Sequence, residues 1–306
     1  MKIVVVGAGA IGGLLGSFLQ KSGEDVTFVD INKEHVRVIQ SAGLSVVRPN
    51  GTEIFKVQAT TDIKEAGRPD LIIFAVKAYD NQQAAEDCLK IVGPDTTVLT
   101  VQNGVGNVDT LSAVLGRDRI IAGTTAFGCT VLGPGKIQPS EQGSISIGEL
   151  DGRITARLQN VVDTFAKAGV EMHMSQNVDS LIWTKLLVNV GINALGAITL
   201  LTNGQLLEYG ETAALQEAVV QEGAAVAKAK GIAFMVDDIL EHVRGVARGT
   251  YNNKASMRQD IERGSRTEVL AINGAIVAAG KELGIPTPVN ETLTKLVKAI
   301  EKRGKL

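Results

Sequence analysis

The feature that most constrains the fold is a glycine-rich loop placed directly after a short β-branched run at the start of the chain. Residues 3–6 (IVVV) favour a strand, and residues 12–21 favour a helix. A G-x-G-x-x-G loop in that context suits a dinucleotide, because glycines allow a tight turn, close approach of the backbone to a pyrophosphate and close helix–strand packing. The helix N-terminus adds free N–H groups. We therefore predict a cofactor-binding loop made of Gly7, Ala8, Gly9, Ala10, Ile11 and Gly12.

Strand-like and helix-like segments then alternate through the first half of the chain. The strand-like runs are DVTFVD (25–30), LIIFAV (71–76), TVLTV (97–101) and IIAGTT (120–125). Such alternation predicts a parallel, doubly wound sheet of the Rossmann type. Asn50-Gly51 between two alternating runs indicates a hairpin, and residues 126–149 are typical of an antiparallel extension.

From about residue 175 the pattern becomes helical almost throughout. The expected helices cover 178–200, 211–230, 236–249, 257–283 and 290–303. The sequence therefore predicts an α/β fold with two domains. A Rossmann-type dinucleotide-binding domain spans residues 1–174, and an all-α domain with substrate-binding and catalytic groups spans residues 175–306.

An acidic residue, Asp30, ends the second predicted strand, 18 residues after Gly12. A carboxylate at this position binds the adenosine ribose hydroxyls and repels a 2′-phosphate, which favours NADH over NADPH. Lys33 and Arg37 on the following helix could offset that repulsion, or they could be ordinary solvated charges. The expected cofactor is thus NADPH or NADH, with NADH favoured by Asp30.

Two polar residues follow predicted strands at the edge of the sheet where ligands collect. Lys77 comes after LIIFAV, and Asn103 lies in the turn QNGVG. Both could contact the cofactor. The alternatives are an exposed strand end for Lys77 and a plain Asn-Gly turn for Asn103.

A polar stripe crosses the apolar segment WTKLLVNVGIN (183–193), where Lys185, Asn189 and Asn193 are spaced four residues apart. On a helix, each step of four advances only about 40° around the axis, so the three side chains share one face. A lysine in a partly desolvated cleft has a lowered pKa and can protonate a developing alkoxide. We therefore predict that Lys185 is a general acid and that the two asparagines orient a carbonyl or carboxylate.

A second group of polar residues lies in SMRQDIERGSRTE (256–268). Ser256 with Gln259 three residues later predicts a capping box, with Ser256 as the N-cap, and such a helix start could also bind a carboxylate. Glu268 precedes an apolar helical run. It is expected to be a first-turn acid, or alternatively to face Lys185.

Composition excludes several classes of function. A net charge of −2 and a pI near 6.0 give no basic surface for nucleic acid or an anionic membrane. The two cysteines indicate neither a disulfide framework nor a metal site, and they fit a reducing cytoplasm. No uninterrupted apolar run is long enough to predict a membrane span. The histidines have no metal-ligand spacing and are interpreted as surface residues; they are His35, His173 and His242.

These segments together resemble the ketopantoate reductase family over the full chain. The matching segments are GAGAIG (7–12), AVKAYD (75–80), QNGVG (102–106), GTT (123–125), WTKLLVNVGIN (183–193), TNGQLL (202–207) and SMRQDIERGSRTE (256–268). The last three are much more specific than the glycine loop. The resemblance implies a Rossmann domain, a helical domain and NAD(P)H-dependent reduction of ketopantoate, a small 2-oxo acid, to pantoate on the route to coenzyme A.

The resemblance also implies roles for individual residues. It makes Lys185 the proton donor, with Glu268 as its catalytic neighbour. The residues implied to bind substrate are Lys185, Asn189, Asn193, Asn203 and Ser256. Those implied to contact the cofactor, or to bridge it to substrate, are Lys77, Asn103, Cys129 and Glu268, with Cys129 near the nicotinamide. One departure concerns Asp30, because well-known members of the family prefer NADPH and usually carry a basic residue near the end of the second strand.

Two other functions are compatible with the sequence. Similar chains on the same scaffold are NAD-dependent D-2-hydroxyacid (mandelate-type) dehydrogenases, in which case residues near Cys129 and Tyr251 would decide the substrate. A nucleotide-sensing regulator without catalysis would bind dinucleotide but would not need Lys185 and its asparagines. The apolar C-terminal helices could serve a homodimer.

Overall fold

The computed structural model describes residues 1–140 and 143–303. It divides into two compact units, the first made of Met1–Gln102 and Asn107–Val178, the second of Asn103–Gly106 and Asp179–Leu306. The main break in the chain lies a few residues beyond 174, where the sequence pattern changes. A short loop from the first half of the sequence, 103–106, clusters with the second unit.

The first unit contains all of the strands found in the described residues. They are β1 (Lys2–Val6), β2 (Asp25–Val29), β3 (Leu44–Arg48), β4 (Gly51–Phe55), β5 (Gln58–Thr60), β6 (Leu71–Phe74), β7 (Thr97–Thr100), β8 (Ile120–Thr125), β9 (Cys129–Gly133), β10 (Lys136–Pro139), β11 (Ser144–Glu149) and β12 (Glu171–Met174). Its helices are α1 (Ala10–Lys21), α2 (Lys33–Ala42), α3 (Asn81–Cys88), α4 (Asn107–Leu115) and α5 (Ala156–Lys167).

The main sheet has the strand order β5–β2–β1–β6–β7–β8–β11–β12. Neighbours from β5 to β8 pair in parallel, whereas β11 runs antiparallel to β8 and parallel to β12. The predicted Rossmann-type sheet is therefore confirmed. The order changes direction between β1 and β6, which is where open α/β sheets bind their ligands. Strand β6 (LIIF) is entirely apolar and buried, and Ile3, Val4 and Val5 of β1 are entirely buried, as expected for a parallel sheet that is covered on both faces.

A second, four-stranded sheet in the first unit was not predicted. The expected hairpin forms from β3 and β4, and a second hairpin forms from β9 and β10. The two hairpins join through parallel pairing of β10 with β3, in which Ile137 lies opposite Val46. Both of these side chains are fully buried in the core of the unit. Strand-like alternation in the sequence reveals each hairpin but not their pairing, because the paired segments lie far apart in the chain.

The second unit is helical. Its helices are α6 (Val178–Thr199), α7 (Gly210–Ala229), α8 (Ile239–Gly249), α9 (Ser256–Glu262), α10 (Asn273–Leu283) and α11 (Pro288–Arg303). Helix α6 is long and apolar enough to span a membrane by length and composition, but 78% of its most apolar window is buried within the protein. It is therefore a core helix, as its packing shows: Leu187 and Val190 are fully buried in the apolar cluster of this unit.

The single helix expected over 257–283 is wrong. The chain leaves α9 at Glu262, passes through Gly264 at a φ of 67°, and begins α10 only at Asn273. Glycine adopts this left-handed conformation readily, so it ends the helix although the apolar pattern continues on both sides. The intervening turn, 263–272, carries Glu268.

Candidate active site

The glycine loop joins β1 to α1, and the fold itself requires two of its glycines. Gly7 has a φ of 95°, and a Cβ there would lie 2.7 Å from the backbone nitrogen of Val76. A Cβ on Gly12 would lie 1.8 Å from the carbonyl oxygen of Gly7. Gly9 differs, because its φ of −66° suits any residue and a Cβ on it would meet nothing within 4 Å. The space beside Gly9 is therefore open, as close approach of a pyrophosphate requires.

The same loop offers hydrogen-bond donors. Within residues 1–140 and 143–303, no group accepts a hydrogen bond from the backbone N–H of Gly9, Ala10, Ile11 or Gly12. Helix N-termini bind phosphates through such N–H groups and through the helix dipole. In both its open space and its free donors, the loop fits the pyrophosphate of a dinucleotide.

Asp30 follows β2, and its carboxylate lies directly beside the loop. Its Oδ2 accepts a hydrogen bond of 2.8 Å from the N–H of Ala8, and its Oδ1 accepts one of 2.8 Å from the N–H of Asn32. The side chain is only half-buried. A negative charge is therefore held at the end of β2, next to the loop, where a ribose hydroxyl could still reach it.

The two cations that follow Asp30 differ in their surroundings. Arg37 is bound by Glu34, with its Nη2 2.6 Å from Oε1 and its Nε 2.8 Å from Oε2. This pair lies on the solvent-exposed face of α2. Lys33, the first residue of α2, is exposed and forms no hydrogen bond or ion pair with the rest of the described chain. Of the two, Lys33 is the one with an unengaged charge.

The interpretation of His35 as a surface residue is wrong. Its ring is buried, with the residue only 5% exposed, and it lies between the glycine loop and the β9–β10 turn. Nε2 is 2.9 Å from the carbonyl oxygen of Ala8, and Nδ1 accepts a hydrogen bond of 3.1 Å from the N–H of Gly135. The contact with Gly135 spans 100 positions of sequence, which is why the spacing of residues around His35 gave no signal of it.

The ends of β6 and β7 are joined by side-chain amides that the sequence reasoning missed. Gln102 donates to the carbonyl of Val76 at 2.6 Å and to Oδ1 of Asn81 at 2.7 Å. Asn81 in turn donates to Oδ1 of Asn107 at 2.7 Å, and both asparagines are buried. Lys77 lies at this same strand end, half-buried, just before the short 3₁₀ turn Ala78–Asp80. The sequence does carry a signal for this amide network, because side-chain amides closely follow the two strands in AVKAYDN and QNGVGN.

Cys129 begins β9 in the second sheet, opposite Pro139 of β10. Burial raises the pKa of its thiol to about 12, so the thiol stays protonated and is a poor nucleophile near neutral pH. The side chain packs against the apolar core of the first unit. At its predicted position near a nicotinamide, Cys129 would therefore contribute packing and not a reactive thiolate.

The stripe on α6 has the burial expected of a functional face. Asn189 and Asn193 are buried, and Lys185 is half-buried. Burial lowers the pKa of the Lys185 ammonium below its ordinary value. In the described part of the chain, Lys185 makes no hydrogen bond or ion pair, and the side-chain nitrogen of Asn193 is buried without a partner. A buried donor without a partner destabilises a fold by about 1–3 kcal/mol, so this stripe is suited to receive a polar ligand.

The loop 103–106 docks onto the second unit beside this stripe. Asn103 accepts a hydrogen bond from the side chain of Asn189 at 3.3 Å. The N–H of Val105 donates to the carbonyl of Ala271 at 3.1 Å. A Cβ on Gly104, whose φ is 85°, would lie 2.4 Å from that same carbonyl oxygen, so no side chain fits there. The structure thus brings together Asn103 and Asn189, two residues predicted to belong to the site.

Glu268 lies in the turn that receives this loop. It is buried, and its carbonyl accepts a hydrogen bond of 2.9 Å from the N–H of Ala271. Helix α10 begins only at Asn273, so the expectation of a first-turn acid is wrong. The alternative, Glu268 facing Lys185, is not seen as an ion pair between the two residues. Glu268 is therefore an acid on a turn that also holds the 103–106 loop.

The capping box predicted at Ser256 does not form. Ser256 is the first residue of α9, and the N-cap position belongs to Ala255, which has no side chain for capping. The side chain of Gln259 donates instead to the carbonyl of Lys254 at 2.9 Å. Ser256 is exposed, and its hydroxyl forms no hydrogen bond within the described residues. The hydroxyl is therefore not used to cap the helix.

Asn203 is held by backbone and side-chain contacts to the segment after α8. Its N–H donates to the carbonyl of Asn253 at 3.0 Å, and its amide nitrogen donates to the hydroxyl of Thr250 at 2.9 Å. The amide oxygen is buried without a partner. Among the described residues, no hydrogen bond joins Asn203 or Ser256 to Lys185, so these members of the predicted site are not directly linked.

Tyr251 covers the glycine that follows Asn203. A Cβ on Gly204 would lie 1.9 Å from Cδ2 of the Tyr251 ring, so this glycine is required for the contact. The Tyr251 hydroxyl is bound by Glu208, and the side chain remains 41% exposed. Tyr251 therefore offers an exposed aromatic surface beside Asn203.

Comparison with known proteins identifies relatives over nearly the whole chain. The family model described as "Ketopantoate reductase PanE/ApbA" matches residues 3–152, and the model for the C-terminal part of the same family matches residues 177–301. A 2-dehydropantoate 2-reductase of Halobacterium salinarum is 35% identical over 305 residues, which is 99% of this chain and 100% of that protein.

Solved structures agree with these sequence matches. The crystal structure of a PanE/ApbA family ketopantoate reductase from Ralstonia eutropha is 34% identical and superposes with a TM-score of 0.93 over 100% of both chains. A ternary structure of D-mandelate dehydrogenase with NADH and anilino(oxo)acetate is 29% identical and has a TM-score of 0.95, again over 100% of both chains. The same fold therefore occurs in proteins named for two different 2-oxo or 2-hydroxy acids.

Proposed function

The chain belongs to the ketopantoate reductase family, and we propose that it reduces ketopantoate (2-dehydropantoate) to (R)-pantoate with NAD(P)H, in the biosynthesis of pantothenate and coenzyme A. The observation that carries the proposal is the α6 stripe, in which half-buried Lys185 has a lowered pKa and Asn189 and Asn193 follow on the next two turns. Reduction of a 2-oxo acid requires a proton at the developing alkoxide. The stripe supplies a donor for that proton together with two amides.

Lys185 acts as the general acid. Burial without a counter-charge destabilises its ammonium form, so the proton leaves more readily than from a solvated lysine. A bound nicotinamide supplies the hydride that C2 of the substrate receives. Lys185 donates its Nζ proton to the C2 oxygen, and the resulting neutral amine is stabilised by the same burial that lowered the pKa.

The amide and hydroxyl side chains position the substrate. Asn193 has a buried donor and Asn203 a buried acceptor that lack partners in the described chain. A carboxylate or carbonyl oxygen of the substrate would accept from Asn193, and the hydroxyl of ketopantoate would donate to Asn203. Ser256 contributes a hydroxyl that is free of capping. Asn189, fixed by Asn103, completes this group. Positioning of this kind lowers the barrier by holding the reacting atoms in a near-attack arrangement.

The cofactor is held by the glycine loop, with Asp30 at the ribose, and we propose that NADH is preferred to NADPH. Asp30 carries an unneutralised charge beside Ala8, and Arg37 is engaged by Glu34. A 2′-phosphate would therefore meet a carboxylate and only one unengaged cation, Lys33. Lys77, Asn103 and Glu268 would contact the cofactor or bridge it to substrate, and Cys129 would lie near the nicotinamide.

A second candidate keeps the reaction and changes the acid. The D-mandelate dehydrogenase structure, with NADH bound, shares the fold over the full chain, and Asp30 is the residue type that favours NADH. Under this reading the substrate is an aromatic or branched 2-oxo acid. The exposed ring of Tyr251 is the feature that would receive its side chain. A regulator that binds dinucleotide without catalysis is disfavoured, because it leaves the lowered pKa of Lys185 without a role.

The deciding experiment measures kcat/KM for ketopantoate, benzoylformate and 2-oxoisovalerate, each with NADH and with NADPH. The proposal expects ketopantoate to exceed the other acids by at least about tenfold, and NADH to exceed NADPH. Faster turnover of benzoylformate selects the second candidate. Dinucleotide binding without turnover of any acid would support the regulator and contradict both enzymatic readings.

We further propose that the protein works in the cytoplasm as a homodimer. The reaction uses soluble nicotinamide nucleotides, and the two cysteines are not paired. Size-exclusion chromatography with light scattering tests the dimer, and a monomeric mass at working concentrations would contradict it.

A further inference from the structure

The backbone of the glycine loop is fixed by side chains from outside the loop. The N–H of Ala8 donates to Asp30, which holds the peptide group between Gly7 and Ala8. The carbonyl of Ala8 belongs to the next peptide group, and its partner is Nε2 of His35 at 2.9 Å. These two contacts set the orientation of two successive peptide planes.

The contacts of His35 assign a different hydrogen-bonding role to each ring nitrogen. The N–H of Gly135 can only donate, so Nδ1 must accept with its lone pair. The carbonyl of Ala8 can only accept, so Nε2 must carry the proton. Nε2 is therefore the donor and Nδ1 the acceptor, and both ring nitrogens have backbone partners.

Fixing the Ala8 carbonyl also fixes a donor. In a trans peptide the C=O and the N–H point in opposite directions, so the contact that holds the Ala8 carbonyl aims the N–H of Gly9 the other way. That N–H has no acceptor among the described residues, and the space beside Gly9 is open. Rotation of this peptide plane would replace the donor by a carbonyl oxygen, which repels an anion.

His35 is itself held firmly in place. The backbone N–H of His35 donates to the side-chain oxygen of Asn32, the N-cap of α2, at 3.0 Å. Gly135 approaches α2 so closely that a Cβ there would lie 2.5 Å from Cγ1 of Val38, and its carbonyl accepts from the N–H of Ser45 at 2.8 Å. The turn of the second sheet thus contacts one nitrogen of the imidazole, and the other nitrogen contacts the glycine loop.

We propose that His35 is a positioning residue for the dinucleotide, holding the peptide between Ala8 and Gly9 so that its N–H faces the pyrophosphate. The proposal rests on the dinucleotide binding included in the proposed function. His35 does not touch the cofactor. Its effect is to preorganise one hydrogen-bond donor of the loop, which matters to ligands that carry the pyrophosphate and not to the nucleoside alone.

The test compares ligands with and without the pyrophosphate. Dissociation constants for NADH, ADP-ribose and adenosine are measured by fluorescence titration or calorimetry for the wild type and for His35→Leu. We expect the dissociation constants of NADH and ADP-ribose to rise about tenfold, the change for one lost hydrogen bond. The constant for adenosine should change less than twofold. Equal weakening of all three ligands would indicate general damage to the unit and would overturn the proposal.

A conservative variant provides a rescue. In His35→Gln one amide supplies both an acceptor for Gly135 and a donor for Ala8, so the dissociation constant of ADP-ribose should return to within about threefold of the wild type. His173→Leu, which alters an exposed histidine on β12, is the matched control and should change nothing. If His35→Leu does not fold, His35→Met replaces it, because methionine adapts to the same space. Rescue no better than His35→Leu contradicts the proposal.

Failure of the proposed function gives a different result. If the wild type binds NADH but does not reduce any 2-oxo acid, the enzymatic proposal fails while the three-ligand comparison still decides the role of His35. If turnover is seen, His35→Leu should raise KM for NADH and leave kcat at saturating NADH within about twofold. A fall in kcat with unchanged NADH binding would overturn the positioning role. Absence of dinucleotide binding in the wild type overturns both.

Discussion

Replacing Lys185 by methionine should make the protein more stable and nearly inactive at the same time. Methionine has a similar length and no charge, so it fills the same space on α6 without an ammonium. Loss of a general acid lowers the turnover rate by about 10²–10⁴-fold. The same change removes a charge that burial disfavours and that no group of the described chain compensates.

The size of the stabilisation follows from the contacts of Lys185. A buried donor without a partner destabilises the folded state by about 1–3 kcal/mol. The second unit has about 130 residues. With an entropy of unfolding of about 2.1 cal/mol/K per residue, its melting temperature should rise by about 4–11 °C. Lys228→Met, at an exposed position of α7, is the control and should change stability by less than about 0.5 kcal/mol.

The stabilisation should also depend on pH in a defined direction. Because the folded-state pKa of Lys185 lies below the unfolded value, the penalty is fully present below the folded-state pKa. It declines as the pH rises and disappears above the ordinary lysine pKa of 10.5. The difference in melting temperature between Lys185→Met and the wild type should therefore shrink from pH 7 to pH 10.5. A variant that melts at or below the wild-type temperature at pH 7 would refute the reasoning, as would undiminished turnover.

Three further changes test other parts of the structure. Gly9→Ala should leave stability unchanged but weaken NADH binding about tenfold. Gly12→Ala should instead lower the free energy of unfolding by about 3 kcal/mol. Equal stability of the two variants in urea denaturation would contradict the loop geometry. Burial raises the pKa of Glu149, but hydrogen bonds led by Arg157 outweigh this and hold the pKa below its usual 4.5. The stabilisation by the Glu149 carboxylate is thus present above pH 4.5 and lost as the pH falls through the folded-state pKa. Glu149→Gln should therefore be about 1–3 kcal/mol less stable than the wild type at pH 7. In thermal melts at lower pH, the difference in stability between the two proteins should decrease. Leu200 has a φ of 60° and is 51% exposed, so Leu200→Gly should stabilise the protein by about 1 kcal/mol in thermal melts; a destabilised variant would show that the side chain matters more than the backbone strain.

Local patterns in the sequence were enough to predict the parts of the fold that local physics decides. The glycine loop is predictable because its glycines have a fixed spacing between a strand and a helix, and Gly12 meets a local steric demand, the carbonyl of Gly7. The stripe on α6 was visible because helical spacing alone places Lys185 and Asn189 on one face. The single helix predicted over 257–283 overlooks two stop signals in the sequence, which are Gly264 and the polar run ERGSRTE (262–268) around it.

Features that depend on distant pairings could not be read from the sequence. The second sheet requires β3 to pair with β10, and no local pattern in either strand indicates the other as its pairing partner. His35 looked like a helix surface residue because its partners, Ala8 and Gly135, lie on different elements. Ser256 was predicted to be an N-cap from its residue type, whereas the observed helix begins one residue earlier than that requires.

The docking of residues 103–106 has a consequence for how such proteins can recombine. The helical unit is not one continuous segment of the chain, because it includes the loop 103–106, which lies in the sequence between β7 and α4 of the other unit. A crossover at residue 178 between two relatives would combine the helices of one parent with the loop of the other. Since Gly104 tolerates no side chain against Ala271, and Asn103 must match Asn189, functional chimaeras should be those that exchange the loop and the helices together.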